Sequence, residues 1–456
     1  MISPPFQIVD EPSHFAYVEH LATTGTLPTS TEEVFSPAER EVLIALKYLE
    51  IRALPQHGTI ATAAEQAHLE RVLHTPASIE SQDAGVATEQ PPLYYALETI
   101  PYSLGGTVLT RLALMRLLSA LMAGVTVLFA FLFLREALPG VRWAWTVGGL
   151  GVALFPLLGF MSGAVNPDAM LYAVSAALFF ALARAFRLGL TPGRATAIGA
   201  VIAVGVLSKL NFIGLLPGAA LALAILARRE AQVSRPDAYR SLALATGVAV
   251  SPVVVYLAIS ALSGRFAMLD IGPTGVSLLT AQGSIFGKLS YLWEFYLPAL
   301  PGMPVYFHGL STTRQLWFDG LVGRYGWLDT FFPAWVYDLA LIPAVLIAGL
   351  CVRELVRHRR ALAERVAELA VYIAITAGVM ALVAATDYLS AYPKDIGAYV
   401  EPRYLMPMLV LFGATLALAA RGAGRRWGPA VGTLLVLVIL AHDIFSQLLV
   451  ISRYYA

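Results

Sequence analysis

Asp10 and Glu11 are adjacent carboxylates followed by Pro12 and His14, which makes the opening of the chain a candidate for acid–base chemistry. A carboxylate at a helix N-terminus has its ionised form favoured by the backbone N–H groups and the helix dipole, so it can act as a general base or hold a cation. The same residues also read as an ordinary helix start, with Asp10 as N-cap and Pro12 in the first turn. Asn166-Pro167-Asp168-Ala169 carries the same two readings. Arg403, in Glu401-Pro402-Arg403-Tyr404, stands at the start of an apolar run, where a cation opposes the dipole and calls for an anion. Glu401 or Asp387 would serve structurally, and a phosphate held by the guanidinium and the neighbouring Tyr404 would serve functionally. Lys209 interrupts another apolar stretch, where a charge costs roughly 3 kcal/mol on insertion scales and usually faces a partner or cavity. The alternative is a short surface loop with Lys209 snorkelling to water. Lys288 and Glu294 lie in an aromatic segment, and Arg324 and Asp329 in Gly323-Arg324-Tyr325-Gly326-Trp327-Leu328-Asp329, mixtures that suit a sugar or lipid head group or anchor the chain at an interface.

These residues are set in a chain built for lipid. Of 456 residues 58% are hydrophobic and only 13% charged, with a mean hydropathy of +0.69, against about 25% charged in soluble domains. The expected fold is an all-α polytopic membrane protein. A net charge of +1 gives no reason to expect nucleic acid as a partner. Cys351 is the one cysteine, which excludes a disulfide framework and a metal–thiolate site. No HExxH, P-loop, GxGxxG or GxSxG occurs, so zincin, nucleotide-driven and triad chemistries lack their usual support.

Apolar runs able to cross a bilayer, at about 20 residues each, occur at 112–134, 143–161, 168–187, 241–262, 336–352, 366–386, 403–420 and 428–450. Ala195 to Ala227 would be about 50 Å long as one helix, too long for a roughly 30 Å core, so two short helices meeting at Lys209 are expected. That gives ten spans. The arginines at 135 and 142, 184–194, 228–240, 353–365 and 421–426 fall in alternate short loops, which the positive-inside rule makes cytoplasmic. The opposite face then receives four segments: residues 1–107, the Asn166–Asp168 turn, the loop 263–335 and the loop 387–402. The resulting divisions are 1–107, an extracytoplasmic first loop; 108–262, transmembrane helices; 263–335, a long aromatic-rich loop; and 336–456, the C-terminal helices. Capping boxes at Ser36–Glu39 and Thr62–Glu65 predict helices towards Leu54 and Leu73. Gln90 to Gly106, too short and too broken by proline to span, is expected at the interface with its tyrosines in the head-group region. Because 1–107 must otherwise cross without an upstream helix, an additional spanning helix ahead of Met1 is expected, eleven in all.

Six motifs occur in order: Asp10-Glu11-Pro12-x-His14-Phe15, Gln90-Pro91-Pro92-Leu93-Tyr94-Tyr95, Asn166-Pro167-Asp168-Ala169, Leu207-Ser208-Lys209-Leu210, Gly323–Asp329, and Arg403-Tyr404-Leu405-Met406-Pro407. Together they resemble a family of bacterial membrane proteins of unknown function placed in the GT-C superfamily of glycosyltransferases. The resemblance implies an inverting transfer from a polyprenyl-phosphate sugar donor to a polysaccharide, glycolipid or protein acceptor. The reaction would run on the outer face of the bacterial inner membrane, with the lipid bilayer as the surrounding partner. It also implies Asp10 as the catalytic carboxylate, Glu11 beside it and Asp168 as the second-loop acid. His14, Lys209, Lys288, Glu294, Arg324, Asp329, Arg403 and Tyr404 are then the expected substrate-binding residues. Whether Asp10, Glu11 and Asp168 share Mg²⁺ or Mn²⁺ stays open, and no other cofactor is expected. The alternatives are a transporter of a lipid-linked sugar or a non-catalytic envelope assembly protein.

Overall fold

In a computed structural model of the chain, residues 3–30, 32, 34–53, 62–73, 76, 85–265, 284–307, 313–390 and 401–455 are described. Leu54, expected to end a helix, and parts of the loops 263–335 and 387–402 lie outside them.

The architecture is all-helical and built for a membrane, with eight helices long and apolar enough to cross among the described residues. Helix α6 (Val108–Ala137) begins at Thr107, whose hydroxyl accepts the Thr110 N–H. The run expected at 143–161 is not one straight span. It divides into α7 (Arg142–Ala153) and α8 (Pro156–Ser162), bent by 50° at Leu154-Phe155, because the residue before Pro156 is pushed to extended backbone. Helix α9 (Asp168–Leu188) follows, with 78% of its apolar window buried, so it occupies the middle of the bundle.

The long stretch 195–227 breaks at Lys209 as its length required. Helix α10 (Pro192–Ser208) ends there, a tight 3-10 segment (Leu210–Leu215) makes the turn, and α11 (Leu216–Ala231) returns. Among the described residues the long helices make eight crossings, or nine with the bent pair taken as one span; the tenth expected crossing corresponds to α10, which is apolar but only 17 residues long. Helix α12 (Arg235–Leu262) packs along α10 with only 11% of its window buried, which assigns most of its surface to lipid.

The C-terminal helices are α14 (Ala334–Arg357), α16 (Val366–Ser390), α17 (Leu409–Gly422) and α18 (Gly428–Tyr455). Short α13 (Ile285–Glu294) and α15 (Arg359–Glu364) precede α14 and α16 respectively. Residues 324–331 form a minimal hairpin, β1 (Arg324–Tyr325) pairing antiparallel with β2 (Thr330–Phe331).

The arginines of the alternate loops do gather. Arg187 and Arg184 pair with Glu136, Arg365 donates to the Ala137 carbonyl at 2.6 Å, and Arg421 pairs with Glu354 at 3.0 Å. Helix ends far apart in sequence are thereby tied at one end of the bundle, as the charge pattern demanded. Close helix approaches use glycine. A Cβ on Gly199 would meet the Ala245 carbonyl at 2.4 Å, and one on Gly214 would meet the Val379 Cα at 2.9 Å.

The first segment folds as short helices: α1 (Glu11–Thr24), α2 (Pro37–Ala45), α3 (Tyr48–Ala53), α4 (Ala63–Leu73) and α5 (Leu93–Leu104). The helix expected from Ser36 is broken at Lys47, which has φ 54°. Ser36 caps its helix by accepting the Glu39 N–H, and the Thr62–Glu65 capping box forms reciprocally. The α5 tyrosines are not interface anchors. Tyr94, Tyr95 and Tyr102 are buried, and their hydroxyls bond Ser119, His14 and Glu19.

Because α10 carries Lys209 and rests on α12 through Gly199, Gly199→Val should displace the hairpin and cost about 1–3 kcal/mol. Thermal unfolding in detergent, with a clearly lowered midpoint relative to wild type, is the measurement that checks it.

Candidate functional site

Asp10 sits at the N-cap position of α1 without capping it. Its backbone is left-handed (φ 62°, ψ 5°) and its side chain makes no cap hydrogen bond. The carboxylate instead accepts from Arg403 Nη2 at 2.9 Å. The ordinary helix-start reading therefore describes the position of Asp10 but not its side chain.

Glu11, the next residue, is fully buried and engaged elsewhere. Arg116 of α6 reaches it bidentately, Nε to Oε1 at 2.7 Å and Nη2 to Oε2 at 2.5 Å, and the Val165 N–H donates to Oε1 at 3.0 Å. Arg116 also donates to the Ser3 and Pro4 carbonyls. This pair clamps the N-terminal stretch to α6 and to the turn before α9. Within that turn Asn166 Oδ1 accepts the Asp168 N–H at 3.0 Å, the cap-like role expected of it. Asn166 Nδ2 donates to the Val9 carbonyl at 3.4 Å.

Asp168 and Lys209 meet across this frame. Lys209 Nζ donates to Asp168 Oδ1 at 2.7 Å, and the Lys209 and Asp168 side chains are 8% and 0% exposed. Lys209 is thus neither snorkelling nor stranded in hydrocarbon. Arg403 lies at the start of a 3-10 segment (Pro402–Met408) leading into α17, and three carboxylates surround it. Asp10 is at 2.9 Å, Glu401 at 3.0 Å and Asp168 at 3.8 Å. Tyr404 lies 5.3 Å from the Arg403 guanidinium and 5.8 Å from Lys209 Nζ, measured to the ring centroid. Tyr172 of α9 donates to the Arg403 carbonyl at 3.3 Å. Four distant segments, around residues 10–14, 168, 209 and 401–404, therefore form one buried charge cluster. Its exposed parts are Asp10 at 29% and Glu401 at 19%.

Electrostatics separates the roles of these groups. Burial pushes the Asp10 carboxyl up, but the surrounding positive charge, Arg403 first, outweighs it and holds Asp10 below the ordinary carboxylate value. Burial raises Glu401 above its ordinary value in spite of Arg403. Burial also lowers His14 to about 3, so its ring stays neutral, with Nδ1 2.9 Å from the Tyr95 hydroxyl.

Of the expected residues, Asp10, His14, Asp168, Lys209, Arg403 and Tyr404 come together. Four others make their contacts elsewhere. Glu294 accepts the Tyr306 N–H at 2.8 Å, and Lys288 is half-buried on the same α13 helix. Asp329 closes the hairpin turn by accepting the Trp327 N–H at 3.0 Å and pairs with Arg453 at 3.3 Å. Arg324 lies 5.6 Å from the Phe331 ring. Asp387, offered as a partner for Arg403, accepts from the Tyr291 hydroxyl at 2.6 Å instead. Arg116, which pairs with Glu11, and Tyr95, which bonds His14, are neighbours of the cluster that sequence reasoning missed. An arginine inside the apolar run from residue 112 was the signal for Arg116.

The donor set does not fit a divalent ion shared by Asp10, Glu11 and Asp168. Glu11 is saturated by Arg116, and Arg403 occupies the bridging position between the other two. Among the described residues no group of three or more His, Cys, Asp or Glu side chains is placed to hold a metal.

Fold and site together define a polytopic, all-helical membrane protein with a buried carboxylate–guanidinium centre where its N-terminal segment meets three helix starts and ends. The chain belongs to the DUF2142 family of predicted membrane proteins, whose family model matches residues 1–412. No curated protein matches it.

Lys209→Met leaves Asp168 buried beside one fewer cation and should cost about 3–5 kcal/mol, whereas the Asp168→Asn/Lys209→Met pair should recover part of that loss. Comparing the three unfolding midpoints checks it. His14 has a pKa depressed from 6.5 to about 3, so the stability it contributes is present above pH 6.5 and lost as pH falls towards 3. The midpoint gap between wild type and His14→Asn should accordingly narrow between pH 7 and pH 4.5.

Proposed function

We propose that the protein is an inverting glycosyltransferase of the GT-C kind, moving a sugar from a polyprenyl-phosphate donor to an acceptor hydroxyl on the outer face of the bacterial inner membrane. The observation that carries this reading is the Asp10–Arg403 contact, an ionised carboxylate and a phosphate-type guanidinium held 2.9 Å apart in a buried cluster.

In the resting arrangement Arg403 lowers the basicity of Asp10. A donor phosphate engaging Arg403 and Lys209 supplies a competing anion, so Asp10 loses its counter-charge and becomes a better base. The acceptor oxygen then attacks the anomeric carbon while its proton passes to Asp10. The bond from that carbon to the phosphate oxygen breaks, and the phosphate leaves with the electron pair onto Arg403 and Lys209. Glu401, whose proton affinity burial raises, is the neighbour suited to receive the proton next. Glu11 acts as a positioning residue through Arg116 and Val165. Acceptors of the polysaccharide, glycolipid or protein type are all compatible with a hydroxyl nucleophile.

The test uses the purified chain in lipid with radiolabelled polyprenyl-phosphate sugars and membrane extract as acceptor source. Asp10→Asn should lower transfer by about 10²–10⁴-fold, the usual worth of a positioned base. Equal transfer by wild type and Asp10→Asn would remove Asp10 from catalysis and with it this reading. In a donor titration Arg403→Ala should weaken binding more than Arg324→Ala; the reverse order would move the phosphate contact to the hairpin.

A further inference from the structure

Helix α12 ends in a Schellman turn. Gly264, at φ 74°, lets the Arg265 N–H return to the Ser260 carbonyl at 2.8 Å while its own N–H bonds Ala261 at 3.3 Å. The turn folds Arg265 inward, where it is 0% exposed. Nη2 donates to the Thr88 carbonyl at 2.5 Å and reaches the Tyr17 hydroxyl at 3.5 Å, and the guanidinium lies 6.0 Å from the Tyr17 ring centroid. Among the described residues no carboxylate pairs with it, and Nε and Nη1 are buried without an acceptor. The hydroxyls of Tyr256 and Ser260, one helical turn apart on α12, are buried and face each other, with no further partner among the described residues. The Arg265 charge acts on the phenols of both Tyr17 and Tyr256.

A buried guanidinium without a counter-charge is costly, and it is usually compensated by an anion. The two unpaired N–H edges and the hydroxyl pair beside them suit the terminal oxygens of a phosphate. Arg265 also follows directly on the lipid-facing surface of α12, where Val254, Val255, Ile259 and Leu262 are exposed, Leu262 at 90%. The site is next to the charge cluster but distinct from it. Tyr17 stacks on Tyr95 at 3.7 Å, and Tyr95 bonds His14. From Asp10 to Tyr17 is two turns of helix, about 10 Å along α1.

We propose that Arg265, Tyr256 and Ser260 form a second anion site that takes the phosphate of a membrane amphiphile, and that this amphiphile is the acceptor. The assignment as acceptor rests on the glycosyltransferase reading; the anion site does not. Donor and acceptor would then both be lipid phosphates, one held at Arg403 and one at Arg265, with their hydroxyl and anomeric centres brought together beside Asp10.

Native mass spectrometry of the full chain, with polyprenyl phosphate as probe, reads the stoichiometry. Wild type should hold two molecules, Arg265→Gln one, Arg403→Gln one and the double variant none, while the uncharged polyprenol should not be retained. Two molecules on Arg265→Gln would overturn the site. If Arg265→Gln does not fold, Tyr256→Phe decides, with an expected several-fold weaker second binding step and an unchanged affinity overturning the proposal. Phosphatidic acid distinguishes the sources. Displacement of the Arg265-dependent molecule by equimolar phosphatidic acid would mark a general phospholipid site and overturn the acceptor assignment, whereas retention supports it. Transfer that survives Asp10→Asn would overturn the glycosyltransferase reading while leaving the stoichiometry of Arg265 untouched.

Discussion

Arg403 is the interaction on which the centre of the molecule depends. A guanidinium buried to 4% exposure needs compensation, and Asp10, Glu401 and Asp168 supply it from three directions. Each partner belongs to a different part of the chain: Asp10 to the N-terminal segment, Glu401 to the segment leading into α17, Asp168 to the first turn of α9. Lys209 joins through Asp168 and brings in the α10–α11 hairpin. One cation thus fixes the relative positions of elements separated by up to 393 residues. The Glu11–Arg116 pair acts at the flank, holding the backbone that carries Asp10 against α6 and the Val165–Asp168 turn.

Much of this was legible in the sequence because its cause is local or periodic. The Ala195–Ala227 stretch is too long for one crossing, so a break followed from length, and the polar interruption Ser208-Lys209-Leu210-Asn211 gave its place. Alternate arginine loops fixed which helix ends lie together, and that placed Asp10, Asp168 and Arg403 at one end. What the sequence left dark is pairing over distance. Glu11 and Arg116 are 105 residues apart, and nothing local distinguishes Glu11, which is clamped, from Asp10, which is not. The tyrosines of α5 misled for a physical reason. A residue with an apolar body and a polar tip suits a membrane interface, but it suits a buried hydrogen bond equally well, and Tyr94, Tyr95 and Tyr102 take the second course. Likewise the carboxylates and cations of the loop motifs share a composition with the site but are taken up by turns and strands, as with Asp329.

The cluster is also a case of charges arranged to be rearranged. Three carboxylates against two cations leave the ensemble short of positive charge, and the 29% exposure of Asp10 and 19% exposure of Glu401 put the two most displaceable partners of Arg403 at the cluster's edge. Asp168, fully buried and bonded to Lys209, is the fixed member.

The left-handed backbone at Asp10 narrows what that position can become. With φ at 62°, a side chain with a Cβ is disfavoured by about 1–2 kcal/mol, and Gly, Asn and Asp tolerate it best. Glutamate would keep the charge but meet the steric barrier, and its longer stem would carry the carboxylate past Arg403. Glycine would relax the backbone and lose the charge, and asparagine would keep the shape without the charge. Two independent filters, one on torsion and one on electrostatics, overlap at a single residue type. Drift at position 10 is therefore closed off from both sides, whatever latitude the surrounding helices have to exchange one apolar side chain for another.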